Sequence, residues 1–305
     1  MSTGRNSESE MELERARTAL RRFNPRGSEN RRILVTGGLG YTGSAIVQTY
    51  REALPDAEIC VTDLPRDGWR DAWREDKHIT FHPANFFEPD GIPNLVNFLS
   101  SGEKLSDAIF VHGGSGRTEW GLPHVGSHEI DDDKVIRLNF TSVYELFRTL
   151  LRAGLLNGTH ESPATATAVT SLSRFPAWQH PSRHGAAYGK SKTDLYHAMV
   201  HLAHRWGLDH HVRIHIVCPG TIADTCREWD PPRSFAHTQD IANTILAGTE
   251  LCGKSIGVET IVDGGQRFAP FINNDVRVDP DIRDSINYGR VLVDRLESLR
   301  PWDNP

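Results

Sequence analysis

From Arg32 onward, short runs of β-branched and apolar residues alternate with longer stretches in which apolar positions recur at helical spacing. The strand-like runs are Ile33–Thr36, Glu58–Thr62, Ile79–His82, Ala108–His112, Thr165–Ser171, Val212–Cys218 and Glu259–Val262. Helical stretches lie between them, clearest at Ser44–Ala53, Lys134–Ala153, Ala187–Trp206 and Thr238–Ala247. Strands separated by helix-length crossovers predict parallel βαβ units, so the pattern implies an α/β doubly wound parallel sheet with helices on both faces. The flanks read differently. Residues 1–30 are polar and charge-rich, with a helix predicted over Glu10–Phe23 and broken at Asn24-Pro25-Arg26-Gly27. After Phe268 the alternation stops, and a helix is expected over Pro280–Leu299 with Asp279 as its cap. The chain therefore divides into an N-terminal extension (1–30), an α/β domain (31–268) and a C-terminal helical extension (269–305).

The first predicted strand runs directly into Gly37-Gly38-Leu39-Gly40-Tyr41-Thr42-Gly43 and then a helix. Glycines at such a strand–helix junction serve a tight turn, close backbone approach to a pyrophosphate, and close packing of helix on strand. The helix N-terminus then faces the phosphates with free N–H groups and the positive end of its dipole. Asp63 closes the second strand, 20 residues past Gly43, where a carboxylate accepts hydrogen bonds from ribose hydroxyls. This is a Rossmann-type dinucleotide fingerprint. A carboxylate at that place repels a 2′-phosphate, which favours NAD over NADP, although Arg66 lies three residues on and can pair with a phosphate. Asn85 and Phe86, at the end of the third strand, are expected at the adenine. His112-Gly113-Gly114, ending the fourth, is expected to run as bare backbone along the cofactor.

Tyr188 and Lys192 open a long helix four residues apart, hence on one face. A phenol near its reference pKa of about 10 is a poor base at neutral pH, and a neighbouring ammonium favours the phenolate. Such a pair can exchange a proton with a substrate hydroxyl while hydride moves to or from a nicotinamide. The pair follows Ala168-Val169-Thr170-Ser171 and precedes Val217-Cys218-Pro219-Gly220-Thr221. Together with the glycine loop, these segments resemble the short-chain dehydrogenase/reductase family over roughly Arg32 to Phe268. The ending Ile261-Val262-Asp263-Gly264-Gly265 is similar to that of its single-domain branch.

The resemblance implies Tyr188 as acid/base and Lys192 as the residue that lowers its pKa and holds the nicotinamide ribose. It implies a serine that orients the substrate oxygen, either Ser171 or Ser173, with Ser171 favoured because Thr170-Ser171 continues the strand. Asn139 would complete a proton relay through water, and Pro219, Gly220, Thr221 and Ile222 would face the carboxamide. A homodimer or homotetramer is expected on the same ground. Two features depart toward the extended, sugar-nucleotide branch of the family: the Thr36/Gly37/Gly40/Gly43 spacing, and Val111-His112 in place of paired asparagines. They keep open an NAD-retaining epimerase or dehydratase, beside a third reading as a nucleotide sensor without catalysis. Against the epimerase stand the short stretch after Gly220 and the single-domain ending.

Composition narrows the partner. The chain is 38% hydrophobic and 24% charged, ordinary for a globular protein, and its net charge of −6 gives no footprint for nucleic acid. No apolar run approaches the roughly 18–20 residues of a membrane span. The first residues lack an apolar signal core, so a cytoplasmic location is expected. Four scattered cysteines carry no metal or redox spacing. Of fifteen histidines, His197, His201 and His204 share a helix face but lie opposite Tyr188, so no metal is expected at the site. Loops at the carboxyl ends of the strands carry Arg117, Trp120, His124, Arg174, Trp178, His180, Arg183, His184, Arg227 and Trp229. That mixture suits a small polar, ring-shaped or anionic substrate.

Overall fold

The computed structural model describes residues 31–64, 73, 75–114, 132–175, 183–203, 207, 209–222, 236–251 and 258–263. Both predicted terminal helices, and every predicted pocket-loop residue except Arg174, Arg183 and His184, lie outside these ranges.

Seven parallel strands form one sheet: β1 (Arg32–Thr36), β2 (Glu58–Asp63), β3 (Ile79–Pro83), β4 (Asp107–Phe110), β5 (Ala164–Val169), β6 (Val212–Pro219) and β7 (Val258–Val262). Their order is β3-β2-β1-β4-β5-β6-β7. The helices are α1 (Tyr41–Ala53), α2 (Gly91–Leu99), α3 (Asp132–Ile136), α4 (Ser142–Arg152), α5 (Arg183–Leu202) and α6 (Thr238–Leu251). The chain order reverses between β1 and β4, and in open parallel sheets ligands bind at such a switch point, beyond the carboxyl ends of the strands.

Period-two alternation assigns each strand residue to one of two cores. Ile33, Val35, Ile59, Val61 and Val217 pack with Ile46, Val47 and Tyr50 of α1 and Ile241 and Ile245 of α6. Leu34, Phe110, Ala166, Ala168, Ile214 and Ile216 pack on the opposite face with Leu95 of α2, Leu146 and Phe147 of α4, and Leu195 and Met199 of α5. Because both faces are covered, the strands read as nearly continuous apolar runs.

Three elements differ from the sequence expectation. The helix expected over Lys134–Ala153 is interrupted by a π-helical turn at Arg137–Thr141, a device that widens a helix by one residue and re-aims its side chains. Helix α2 is not among the four clearest helical stretches of the sequence; its Pro93 lies in the first turn, where proline forfeits no intrahelical hydrogen bond. The run predicted to reach Ser171 leaves the sheet after Val169, and Leu172–Arg174 forms a 3₁₀ turn. That turn and helix α5 bring Ser171 and Tyr188 toward each other.

At the amino ends of β1 and β4, opposite the site, lies a buried ionic cluster. Arg31 donates to Asp107 Oδ2 at 2.6 Å and to Glu250 Oε1 at 2.5 Å. Ser106 donates to Asp107 at 2.7 Å, and Thr165 donates to its other oxygen. Among the described residues no helix is long and apolar enough to cross a membrane.

Candidate active site

The site begins with the turn after β1. Gly37 has φ +69°, and a Cβ there would lie 2.7 Å from the backbone of His112. At Gly43 a Cβ would lie 2.0 Å from the Gly37 carbonyl oxygen. Two backbones touching at these points leave the turn open toward the N-terminus of α1, which carries no side-chain cap. An uncapped helix end beside bare backbone is the chemistry that receives a phosphate. The Asp63 carboxylate stands beside the turn, accepting from Leu39 N–H at 2.9 Å and from Leu64 N–H at 2.7 Å. Two backbone donors, one to each oxygen, hold the carboxylate in place at the rim of the turn.

A cavity of about 350 Å³ runs from this turn along the strand ends to α5. Of the residues predicted to bind cofactor, Gly37, Gly40, Tyr41, Thr42, Gly43, Asp63, His112, Gly113, Gly114, Tyr188, Lys192, Pro219, Gly220, Thr221 and Ile222 all line it. Asn85 and Phe86 do not. The Asn85 Oδ1 accepts from Phe87 N–H in its own turn, and Phe86 is buried against the His112 ring at 4.6 Å between centroids. Leu64, Val111, Leu138, Val169 and Thr170 line the cavity without having been expected. Their signal was position alone, since each flanks a strand end or the Asn139 turn.

Helix α5 supplies the chemistry. Its buried stripe Ala187, Ser191, Leu195, Met199 and Leu202 docks on the core and turns the adjacent Tyr188 and Lys192 into the cavity. The Ser171 side chain interacts with the Tyr188 phenol, while Ser173 N–H donates to Ser171 Oγ at 3.2 Å. Desolvation pushes the Tyr188 phenol above its ordinary value, against the Ser171 hydrogen bond that lowers it. The Lys192 ammonium donates to the Val169 carbonyl at 2.9 Å and stands 5.7 Å from the Tyr188 ring centroid. Burial pushes Lys192 down to about 8. Lys192 does not lower the Tyr188 phenol as expected, because the ammonium is turned to a backbone carbonyl and burial governs the phenol.

Asn139 sits in the π-helical turn, fully buried. Its Nδ2 donates to Gly114 O at 2.8 Å and to Val135 O at 2.9 Å, and its Oδ1 accepts from Gly114 N–H at 3.0 Å. Both amide protons are committed to main-chain carbonyls, so the Asn139 amide has no proton left to pass on. The side chain instead fixes the Gly113-Gly114 backbone along the cavity.

His112 occupies a closed network. Ser142 Oγ donates to Leu138 O at 2.8 Å, and so accepts from His112 Nε2–H at 2.9 Å. Thr36 Oγ1 accepts from Val111 N–H at 3.2 Å and donates to His112 Nδ1 at 2.6 Å. This assigns a neutral ring protonated at Nε2, in keeping with burial and the Lys192 charge, which push its pKa down to about 3. Though it borders the cavity, His112 ties the glycine turn to the π-helical turn and has no nitrogen free for a ligand.

Arg174 likewise departs from the expectation. Its guanidinium carbon stands 3.9 and 4.0 Å from the ring centroids of Phe175 and Tyr196, and the group pairs with Glu259. It is not available to an anionic substrate. The side chains of Arg183 and His184 lie outside the described residues.

No family model matches the chain. It is 27% identical over 195 residues to the rhamnolipid-biosynthesis 3-oxoacyl-[acyl-carrier-protein] reductase of Pseudomonas aeruginosa, spanning 61% of this chain and 71% of that protein. Solved structures share the fold. The Pseudomonas aeruginosa RhlG/NADP active-site complex superposes with a TM-score of 0.65 at 22% identity, covering 78% of this chain and 97% of that one. A short-chain dehydrogenase/reductase from Brucella melitensis, described as a glucose/ribitol dehydrogenase, gives 0.62 at 19% identity over 78% and 96%. The NADH-dependent enoyl-[acyl-carrier-protein] reductase of Aquifex aeolicus gives 0.61 at 16% over 79% and 97%. The glycine turn, the Tyr188–Lys192 face and the reductase relative agree: the chain is similar to oxidoreductases of the short-chain dehydrogenase/reductase type.

Proposed function

We propose that the protein interconverts a secondary alcohol and a carbonyl on a small polar metabolite, with Tyr188 as acid/base and NAD as the favoured cofactor. The observation that carries this reading is one continuous cavity with an uncapped glycine turn at one end and Tyr188, Lys192 and, at the phenol, Ser171 at the other. The residues fit a dinucleotide: bare backbone at Gly37–Gly43 for the pyrophosphate, the Asp63 carboxylate for the adenosine ribose, and Gly113-Gly114 and Pro219–Ile222 along its remainder. When bound, the nicotinamide supplies or accepts hydride.

The protein's own part is the proton. In carbonyl reduction the Tyr188 O–H donates to the substrate oxygen as negative charge develops there, and Ser171 holds both oxygens in line. In alcohol oxidation Tyr188 acts in its phenolate form and accepts the substrate hydroxyl proton, ending as the phenol. Lys192, one helical turn on along the same face of α5, is the cation placed to favour the phenolate. Carboxylate repulsion of a 2′-phosphate at Asp63 supports NAD. The relatives do not agree on this point, one solved neighbour being an NADP complex and another an NADH enzyme. An NAD-retaining epimerase is not favoured, because His112, which suggested it, is committed to Thr36 and Ser142.

The test is fluorescence titration with NADH and NADPH, followed by assay of a carbonyl panel that includes 3-oxoacyl esters, the substrate class named for the Pseudomonas relative. Tighter NADH binding, and turnover abolished in Tyr188→Phe with NADH affinity retained, is the expected result. Turnover surviving in Tyr188→Phe refutes the assignment of the acid/base.

A further inference from the structure

We infer that Arg174 is a positioning residue for the Ser171–Tyr188 pair, an inference that rests on the proposed role of that pair. Arg174 ends the 3₁₀ turn that Ser171 begins, and its N–H donates to Ser171 O at 3.0 Å. Its carbonyl accepts from Thr193 Oγ1 at 2.9 Å, on the α5 turn that carries Lys192. The guanidinium carbon stands 3.9 Å from the ring centroid of Phe175 of its own loop and 4.0 Å from that of Tyr196 of α5. Nη2 reaches both Glu259 oxygens of β7, at 2.7 and 2.6 Å. A side-chain contact to Cys218 of β6 completes the enclosure. One residue therefore locks the serine turn, the tyrosine helix and the two strands beneath them.

The energetics argue that this lock serves geometry. The Arg174 side chain is only 11% exposed, and its Nε makes no hydrogen bond among the described residues. A buried ion pair with an unpaired donor adds little stability compared with an apolar residue of the same volume. It does fix orientation: a planar cation in contact with two rings and aimed at a carboxylate has one seat, where a methionine has many. A serine hydroxyl that must meet a phenol across two separate elements depends on such a seat, since small displacements of reacting groups are costly in rate.

The decisive readout needs no substrate. With the tyrosines labelled at 13Cζ, the Tyr188 resonance is identified by its loss in Tyr188→Phe, and Ser171→Ala shifts it by removing the hydrogen bond. In Arg174→Met the resonance moves toward its Ser171→Ala position. Adding Ser171→Ala to Arg174→Met then changes it by less than about half of the wild-type effect, the signature of coupling in a double-mutant cycle. Arg174→Lys restores part of the effect. Should Arg174→Met fail to fold, Glu259→Gln, which keeps the ring contacts, carries the same comparison with a smaller loss. Turnover on any reducible carbonyl should fall in Arg174→Met by the factor seen in Ser171→Ala, with NADH affinity unchanged. A Tyr188 resonance unmoved in the Arg174 and Glu259 variants, with the full Ser171→Ala shift retained, overturns the inference even if the urea midpoint drops. So does a Ser171→Ala variant that leaves Tyr188 unshifted. Normal turnover in Tyr188→Phe instead refutes the catalytic reading and leaves the resonance comparison standing.

Discussion

His215 on β6 should make the protein acid-labile by a calculable amount. The ring is 4% exposed, wedged against Gly248 of α6, where a Cβ would stand 2.0 Å from the imidazole Cε1. Nε2 meets Thr260 Oγ1 at 3.1 Å, and Nδ1 has no hydrogen-bond partner among the described residues. Burial pushes its pKa from the ordinary 6.5 down to about 4. The folded protein thus holds this proton less well than the unfolded chain. The stability contribution is complete above pH 6.5, declines as pH falls toward 4, and levels off below that. Linkage across those two values gives a loss of about 1.9 kcal/mol between pH 7.5 and pH 5, approaching about 3.4 kcal/mol in strong acid. The assay is urea unfolding of the wild type and His215→Gln at both pH values, read as midpoint and slope. Glutamine keeps a polar side chain of similar reach and does not titrate. Its packing cost is common to both pH values and cancels in the difference, as does the separate contribution of His112. The variant should lose about 1.9 kcal/mol less than the wild type on acidification. Losses equal within about 0.5 kcal/mol would mean that His215 is protonated in the folded protein and that the reasoning from burial is wrong.

Two further outcomes follow from the same geometry. Asp107→Ala strips Arg31 of one of its two buried carboxylates and should cost about 3–5 kcal/mol in urea unfolding, with NADH affinity unchanged because the cluster lies at the opposite end of the sheet; a loss below about 1 kcal/mol would show the guanidinium to be solvated. Gly43→Ala drives a methyl into the Gly37 carbonyl and should weaken NADH binding at least about tenfold, or 1.4 kcal/mol, in a fluorescence titration, whereas unchanged affinity would move the pyrophosphate away from this turn.

The sheet was legible because its strands are covered on both faces. Continuous apolar runs such as Ile33–Val35 and Ile214–Val217, set apart by helix-length segments, admit few arrangements other than parallel crossovers. All seven strands lie where the pattern puts them, with ends shifted by a residue or two. The glycine turn was legible for a related reason: close approach of two backbones demands residues without a Cβ, and that demand is written locally. Tyr188 and Lys192 were legible from their helical spacing together with the segments that flank them, Ala168–Ser171 and Val217–Thr221. The π-helical turn left no such trace, since Arg137–Thr141 has the composition of the helix around it and the extra residue is accommodated by contacts to Gly114.

The partners of polar side chains near the strand ends were not legible where they are remote in sequence. Arg174 finds Glu259 85 residues away, and His112 finds Thr36 76 residues away. From sequence, an arginine beside a ligand cavity such as Arg174 looks like a ligand group, because that is the cheapest role for an exposed charge. In the folded chain it is largely buried, as is His112, and a buried polar group must be answered from within the protein. The answer consumes the hydrogen bonds a substrate would have used. Asn139 shows the same conversion, its amide spent on Gly114 and Val135. What remains for substrate and cofactor is largely backbone, one carboxylate, and the Tyr188–Lys192–Ser171 group. The polar residues around them hold these few parts at fixed separations, and so the geometry of the Ser171–Tyr188 contact is set by residues that never touch the reacting atoms.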